Sequence, residues 1–237
     1  MAPTSLTTSN VLTAAQLLAA VDDTNEAPWM TMPEFQFNII QMLIGILRLH
    51  ARRRRLRWHV TGELGVRMPR PDGSTLTLGP DLFVVEADEA LRTSWDTVQE
   101  GQPPRFVLEV VTKESVERDT STDQKVGYYA AMGVAEYAVY WPERRDGGPP
   151  LFGYRRGPGG AWIDWSTDAH GVLWSSTLGG LGLYIEELPW LRVVDQQGTL
   201  LPSPEEEAAR AEREATARHE AEAEVTRLRA LLKRYQD

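Results

Sequence analysis

The stretch Arg105-Phe106-Val107-Leu108-Glu109-Val110-Val111 decides how this chain is read. It is apolar on both faces of an extended segment, as in a central strand covered on both sides. Glu109 breaks the pattern, and strand alternation puts it on the same face as Val107 and Val111. A charge there is costly unless it is paired or bound to a metal. Downstream, a helix is expected from about Thr122 to Met132, closed by Gly133, followed by a strand through Tyr137-Ala138-Val139-Tyr140. The result is a strand-helix-strand unit with a buried middle.

Working outward, Trp58-His59-Val60 and Val66-Arg67-Met68 read as strand, Pro71-Asp72-Gly73 as a turn, and Thr75 to Leu78 leads on to Leu82-Phe83-Val84-Val85. This predicts an antiparallel meander. Further upstream, Phe35, Phe37, Ile39, Ile40, Leu43, Ile46 and Leu47 have the mixed three and four spacing of a helix with a wide buried face. That helix is expected to end in the arginine run. Past the turn at 145–150, Leu151 to Tyr154, Trp162 to Trp165 and Leu183 to Ile185 read as short strands that extend the sheet.

Residues 1–29, rich in Ser, Thr, Ala and Asp, form an N-terminal arm in this reading, with the main domain over 30–202. From 203 to 237 the composition shifts to a charged, alanine-rich helix. Ser203 suits its N-cap, and Val225, Leu228, Leu232 and Tyr235 follow the 3-4-3 spacing of a short coiled-coil seam. Two uses fit that spacing equally: a homodimer contact, or packing of one amphipathic helix on its own domain.

Composition narrows the function. The 237 residues include no cysteine and only four histidines, so disulfides, thiolate nucleophiles and cysteine zinc sites are excluded. Any metal is expected to be a hard cation held by oxygen. No apolar run approaches the ~18 residues of a membrane span, and no secretory signal is visible, so a cytoplasmic protein without a membrane partner is expected. A net charge of −9 argues against coating nucleic acid through bulk positive field, though not against a local basic site. Walker-type loops, dinucleotide fingerprints, Gly-x-Ser-x-Gly elbows and His-Glu-x-x-His are all missing.

What remains is a set of carboxylates and a lysine. Asp81 follows Gly79-Pro80 at the head of an apolar strand, 28 residues before Glu109. If the two strands are adjacent, both acids face one site. Only three of 25 basic residues are lysine, namely Lys113, Lys125 and Lys233. Lys125 begins a stripe with Tyr129 and Met132 that turns its ammonium toward the sheet. A compact ammonium suits water activation or the stabilisation of an anionic transition state.

Pro80-Asp81 before Phe83-Val84-Val85, then Ser94-Trp95, Glu100-Gly101-Gln102-Pro103-Pro104, Val107 to Thr112, Asp119, Lys125, Tyr129, Gly133-Val134 and Glu136-Tyr137 recur in the order and spacing of a known family. The chain resembles the Uma-two family of restriction-endonuclease-like proteins, a branch of the PD-(D/E)XK nuclease superfamily, over roughly residues 33–237. The resemblance implies an α/β fold with a mixed sheet, a restriction-endonuclease-like core with flanking helices, and a helical tail. It implies that Asp81 and Glu109 ligate Mg²⁺, with Mn²⁺ as a substitute, helped by the backbone carbonyl of Val110. Lys125 would sit beside the attacking water, and DNA would be the substrate.

The sequence departs from the superfamily pattern at Val111, where a lysine is expected. Lys125 matches the family's migrated lysine, and Lys113 is its rival. Glu34 is the nearest candidate for an assisting helix acid. The six arginines between residues 48 and 57, including Arg52 to Arg55, would either contact phosphates or complement a helix C-terminus. The rival to an enzyme is a catalytically inactive module that binds nucleic acid or protein and oligomerises through its C-terminal helix.

Overall fold

The computed structural model describes residues 34–112 and 122–236. The expected N-terminal arm, Lys113 and Asp119 lie outside the described residues. The chain divides into two compact units, one ending at Leu201 and the other beginning at Pro202.

The first unit opens with helix α1 (Glu34–Arg54). Ile39, Ile40, Leu43, Ile46 and Leu47 are almost wholly buried along it. Arg52 to Arg54 occupy its last turn, where positive charge complements the exposed carbonyls. Then come strands β1 (Trp58–Thr61), β2 (Val66–Pro69), β3 (Thr75–Leu78), β4 (Leu82–Glu86), β5 (Trp95–Asp96) and β6 (Phe106–Val110). Helix α2 (Thr122–Met132) leads to β7 (Glu136–Tyr140), β8 (Leu151–Arg156), a 3-10 turn at Pro158–Gly160 and β9 (Trp162–Ser166). The unit closes with β10 (Val172–Trp174), β11 (Gly182–Glu187) and β12 (Trp190–Val194).

A six-stranded sheet in the order β1-β4-β6-β7-β8-β9 is the frame. Only β6 and β7 run parallel in it, with Phe106 opposite Glu136 and Val110 opposite Tyr140, and α2 is their crossover. On one face Val60, Leu82, Val84, Phe106, Leu108 and Val110 pack in a common core with α1 and with the β10-β11-β12 sheet. On the other, Phe83, Val85, Val107, Tyr137 and Val139 meet α2 and the small β3-β2-β5 sheet. All five residues of β6 are buried, as its sequence demanded.

The meander expected between residues 58 and 85 does not form. β2 and β3 make a hairpin in their own sheet, while β4 crosses to pair with β1 in the large one. Gly79-Pro80 separates the two pairings, and Pro80, lacking an N–H, cannot continue a ladder. β8 and β9 extend the large sheet as expected, whereas β11 belongs to a third sheet. Its partner β12 is hard to read from sequence because a buried Arg192 interrupts the apolar run.

Glu136, at the head of β7, is 1% exposed and ties the large sheet to the segment before β11. It accepts hydrogen bonds from the hydroxyls of Ser175, Ser176 and Thr177 and from the amides of Ser176 and Thr177. Removing the acceptor strands several donors where water is scarce. Glu136→Ala should therefore lower unfolding stability by about 3 kcal/mol, read by urea denaturation. A loss within experimental error would show that these bonds contribute nothing net.

The second unit is helix α3 (Pro204–Gln236). Its start is a capping box: the Glu206 amide donates to Ser203 Oγ at 3.2 Å, and the Ser203 amide to Glu206 Oε2 at 2.8 Å. Glu205 to Glu207 place negative charge in its first turn. None of the described helices is long and apolar enough to cross a membrane.

Candidate active site

β4 and β6 pair antiparallel with Leu82 opposite Leu108, Phe83 opposite Val107 and Val84 opposite Phe106. One step further, the same register would set Asp81 against Glu109, but the ladder stops at Leu82. The Val110 amide instead donates to the carboxylate of Asp81, at 2.7 Å to Oδ2. β6 meanwhile stays with β7, since the Val111 amide donates to Tyr140 O at 2.7 Å. The two strands thus part at this end, and a side chain fills the gap that a backbone carbonyl would otherwise occupy.

Glu109 emerges from the last turn of this ladder on the α2 face. It is 4% exposed, yet both its oxygens are engaged. Tyr129 OH donates to Oε1 at 2.5 Å, and Lys125 Nζ lies 3.2 Å from Oε2. Lys125 and Tyr129 stand one helical turn apart on α2, which aims both at the strand beneath. The structure therefore brings Asp81, Glu109, Val110 and Lys125 together. Lys125 is one half of a buried ion pair, and its removal takes the positive charge from beside Glu109 while the Tyr129 hydroxyl remains.

Two residues of the cluster were not singled out as functional from sequence. Tyr129 holds Glu109 by a short bond, and its own ionisation is pushed well above the usual phenol range by burial and by Glu109. It acts here only as a donor. Gln36, in the first turn of α1 and buried, points its Nε2 at both oxygens of Asp81, at 3.3 and 3.4 Å. Glu34, the acid expected to assist, is exposed. Residues two apart on a helix do not share a face, so Gln36 takes the inward position. The signal in the sequence was its place in the buried stripe with Ile39, Ile40 and Leu43.

The end of β1 closes the site from a third side. The Glu63 amide donates to Pro80 O at 3.1 Å, and a Cβ on Gly62 would stand 2.2 Å from the carbonyl oxygen of Asp81. Only glycine allows this approach. Gly62→Ala should push the Pro80-Asp81 backbone away, costing about 1–3 kcal/mol in a denaturation assay.

The arginine run stands elsewhere. From Gln36 to Arg54 the helix climbs ~27 Å at ~1.5 Å per residue. Arg52 lies 3.5 Å from Glu89 and Arg57 2.9 Å from Asp88. These arginines serve the far end of α1 and the loop after β4.

The electrostatics of the acid pair have a direct consequence. Burial, reinforced by the charge of Glu109, raises the Asp81 carboxyl from 3.8 to about 8. The Val110 amide, Lys125 and Gln36 oppose the shift without cancelling it. Metal-free protein thus holds a proton on Asp81 at neutral pH beside the Glu109–Lys125 pair. The folded state keeps that proton where the unfolded chain releases it, so this stabilisation is complete below about pH 4 and is lost as pH rises to about 8. Asp81→Asn should remove the dependence. With chelator present, wild type should lose stability relative to Asp81→Asn across that window by at most about 1.4 kcal/mol per pH unit. Parallel pH profiles in thermal melts would disprove the shift.

The fold is thus a mixed-sheet α/β one whose diverging strands hold a buried carboxylate pair next to a helix lysine. Residues 22–186 match the family model Uma2, described as putative restriction endonuclease, and the chain belongs to that family. Among solved structures, a putative nuclease belonging to DUF820 from Anabaena variabilis ATCC 29413 is similar over 71% of this chain and 92% of that chain, with 14% identity and a TM-score of 0.43. No curated protein matches.

Proposed function

We propose that this chain is a Mg²⁺-dependent endonuclease that hydrolyses DNA phosphodiester bonds with water as nucleophile. The observation that supports it is the meeting of Asp81, Glu109 and Lys125 where β4 and β6 part. The donor set suits a hard cation, because every candidate ligand is oxygen. Asp81 and Glu109 would hold it together with the carbonyl of Val110. In an extended strand a residue's C=O points to the same side as its N–H, and the Val110 N–H points at Asp81. Mn²⁺ would substitute.

A bound divalent ion would neutralise the acids, polarise a phosphoryl oxygen and lower the pKa of water. Asp81 must surrender its proton to become a ligand, so cation affinity should rise with pH up to about 8. Lys125, drawn to Glu109 in the free protein, would turn toward the reacting phosphate once the carboxylate has a second positive partner, and would stabilise the charge that develops there. Tyr129 keeps Glu109 in place throughout by donating to its other oxygen. The intact set of Asp81, Glu109 and Lys125 favours the enzyme reading, because a site no longer used for chemistry should lose at least one member.

The test is calorimetry with Mg²⁺ and with Mn²⁺ in the presence of short DNA, comparing wild type with the Asp81→Asn, Glu109→Gln double variant. Wild type should bind and the double variant should not. Gel assays of plasmid and oligonucleotide cleavage should show Lys125→Met lowering turnover by about 10²–10³, measured where circular dichroism shows it folded. Absence of cation binding in folded wild type would overturn the proposal, and full activity of Lys125→Met would overturn the role of the lysine.

A further inference from the structure

α3 is exposed on nearly all sides along its 33 residues, with alanine and charge over its first two thirds. Its apolar side chains gather at the end. Ala221, Val225, Leu228, Leu232 and Tyr235 follow a 4-3-4-3 spacing, which keeps them on one seam of an underwound helix. Leu232 is 61% exposed and Tyr235 88%. Scattered apolar side chains on a surface need no explanation, but a continuous stripe on a solvated helix calls for a partner.

We infer that this stripe is the contact between two copies of the chain, paired in parallel and in register. With Val225 and Leu232 at the first core position of each heptad and Leu228 and Tyr235 at the second, the flanking positions are set. Glu224 precedes one core residue and Arg229 follows the next. In a parallel, in-register pair these two face each other across the interface, so each dimer gains two opposite-charge contacts. Leu231, also partly exposed, borders the same seam and widens it. Within its own helix Glu224 reaches Arg227 at 3.6 Å, a contact exposed enough to be exchanged for the intermolecular one. A second copy is the occupant favoured, because it alone supplies the matching stripe and the matching charges together. The pairing is short, and a reversible, concentration-dependent dimer is expected.

The chain has no cysteine, which allows a clean test on the full-length protein. Sedimentation equilibrium should give a mass rising from 26.6 kDa toward twice that value with concentration. The Leu228→Glu, Leu232→Glu variant should stay at 26.6 kDa with its helix content retained. Single variants Leu228→Cys and Tyr235→Cys should each oxidise to a covalent dimer, while Ala230→Cys, on the opposite face, should not. Crosslinking at only one of the two seam positions would indicate an antiparallel pair and overturn the register. A monomeric wild type at its highest soluble concentration would overturn the dimer, including where the stripe instead covers the chain's own domain. None of these readouts involves catalysis, so this inference and the proposed function stand or fall separately.

Discussion

The architecture around the site turns on one requirement: a carboxylate placed in a fully buried strand must find compensating charge and hydrogen bonds, or the strand cannot be buried. Glu109 is that carboxylate, and its two oxygens recruit Lys125 and Tyr129 from the crossover helix. The same contacts that settle the charge also fix the rotation of α2 over the sheet. A helix facing otherwise would leave Glu109 unpaired at a cost of several kcal/mol. Fold stability and the geometry of the site are thus coupled through one side chain.

Asp81 solves a different problem. Two antiparallel strands that part leave an amide without its ladder partner, and a buried orphan amide is expensive. The Asp81 carboxylate accepts from Val110 N–H, so the divergence that opens the site is stabilised by a group that belongs to it. Gly62 lets the β1 end press against this corner, and Gln36 covers it from α1. Burial, with the charge of Glu109 beside it, keeps one proton on Asp81 near neutral pH.

The rest of the first unit supports that corner at a distance. Glu136 anchors the start of β7 through three consecutive hydroxyl residues, holding the parallel neighbour of β6 in register. The arginine run, conspicuous in the sequence, sits a helix length away among Asp88 and Glu89. Arg52 of that run pairs with Glu89, and Arg57 just beyond it pairs with Asp88.

Much of this was legible in one dimension. The both-faced apolarity of Phe106 to Val110 established a central strand, the lone Glu109 within it marked a site, and the rarity of lysine drew attention to Lys125. Periodicity carries such information because burial acts on each residue locally. Periodicity put Gln36 in the buried stripe of α1 but not beside Asp81, since that contact spans 45 residues and depends on how α1 lies across the sheet. The divergence of β4 from β6, the proton on Asp81 and the departure of β2 and β3 into a separate sheet were equally out of reach. Each depends on which strands become neighbours, and that is decided by packing among elements distant in the chain. Residue types and their order determined which groups could do chemistry; only the tertiary structure decided which of them meet, because meeting requires the strands to pair first and then to part.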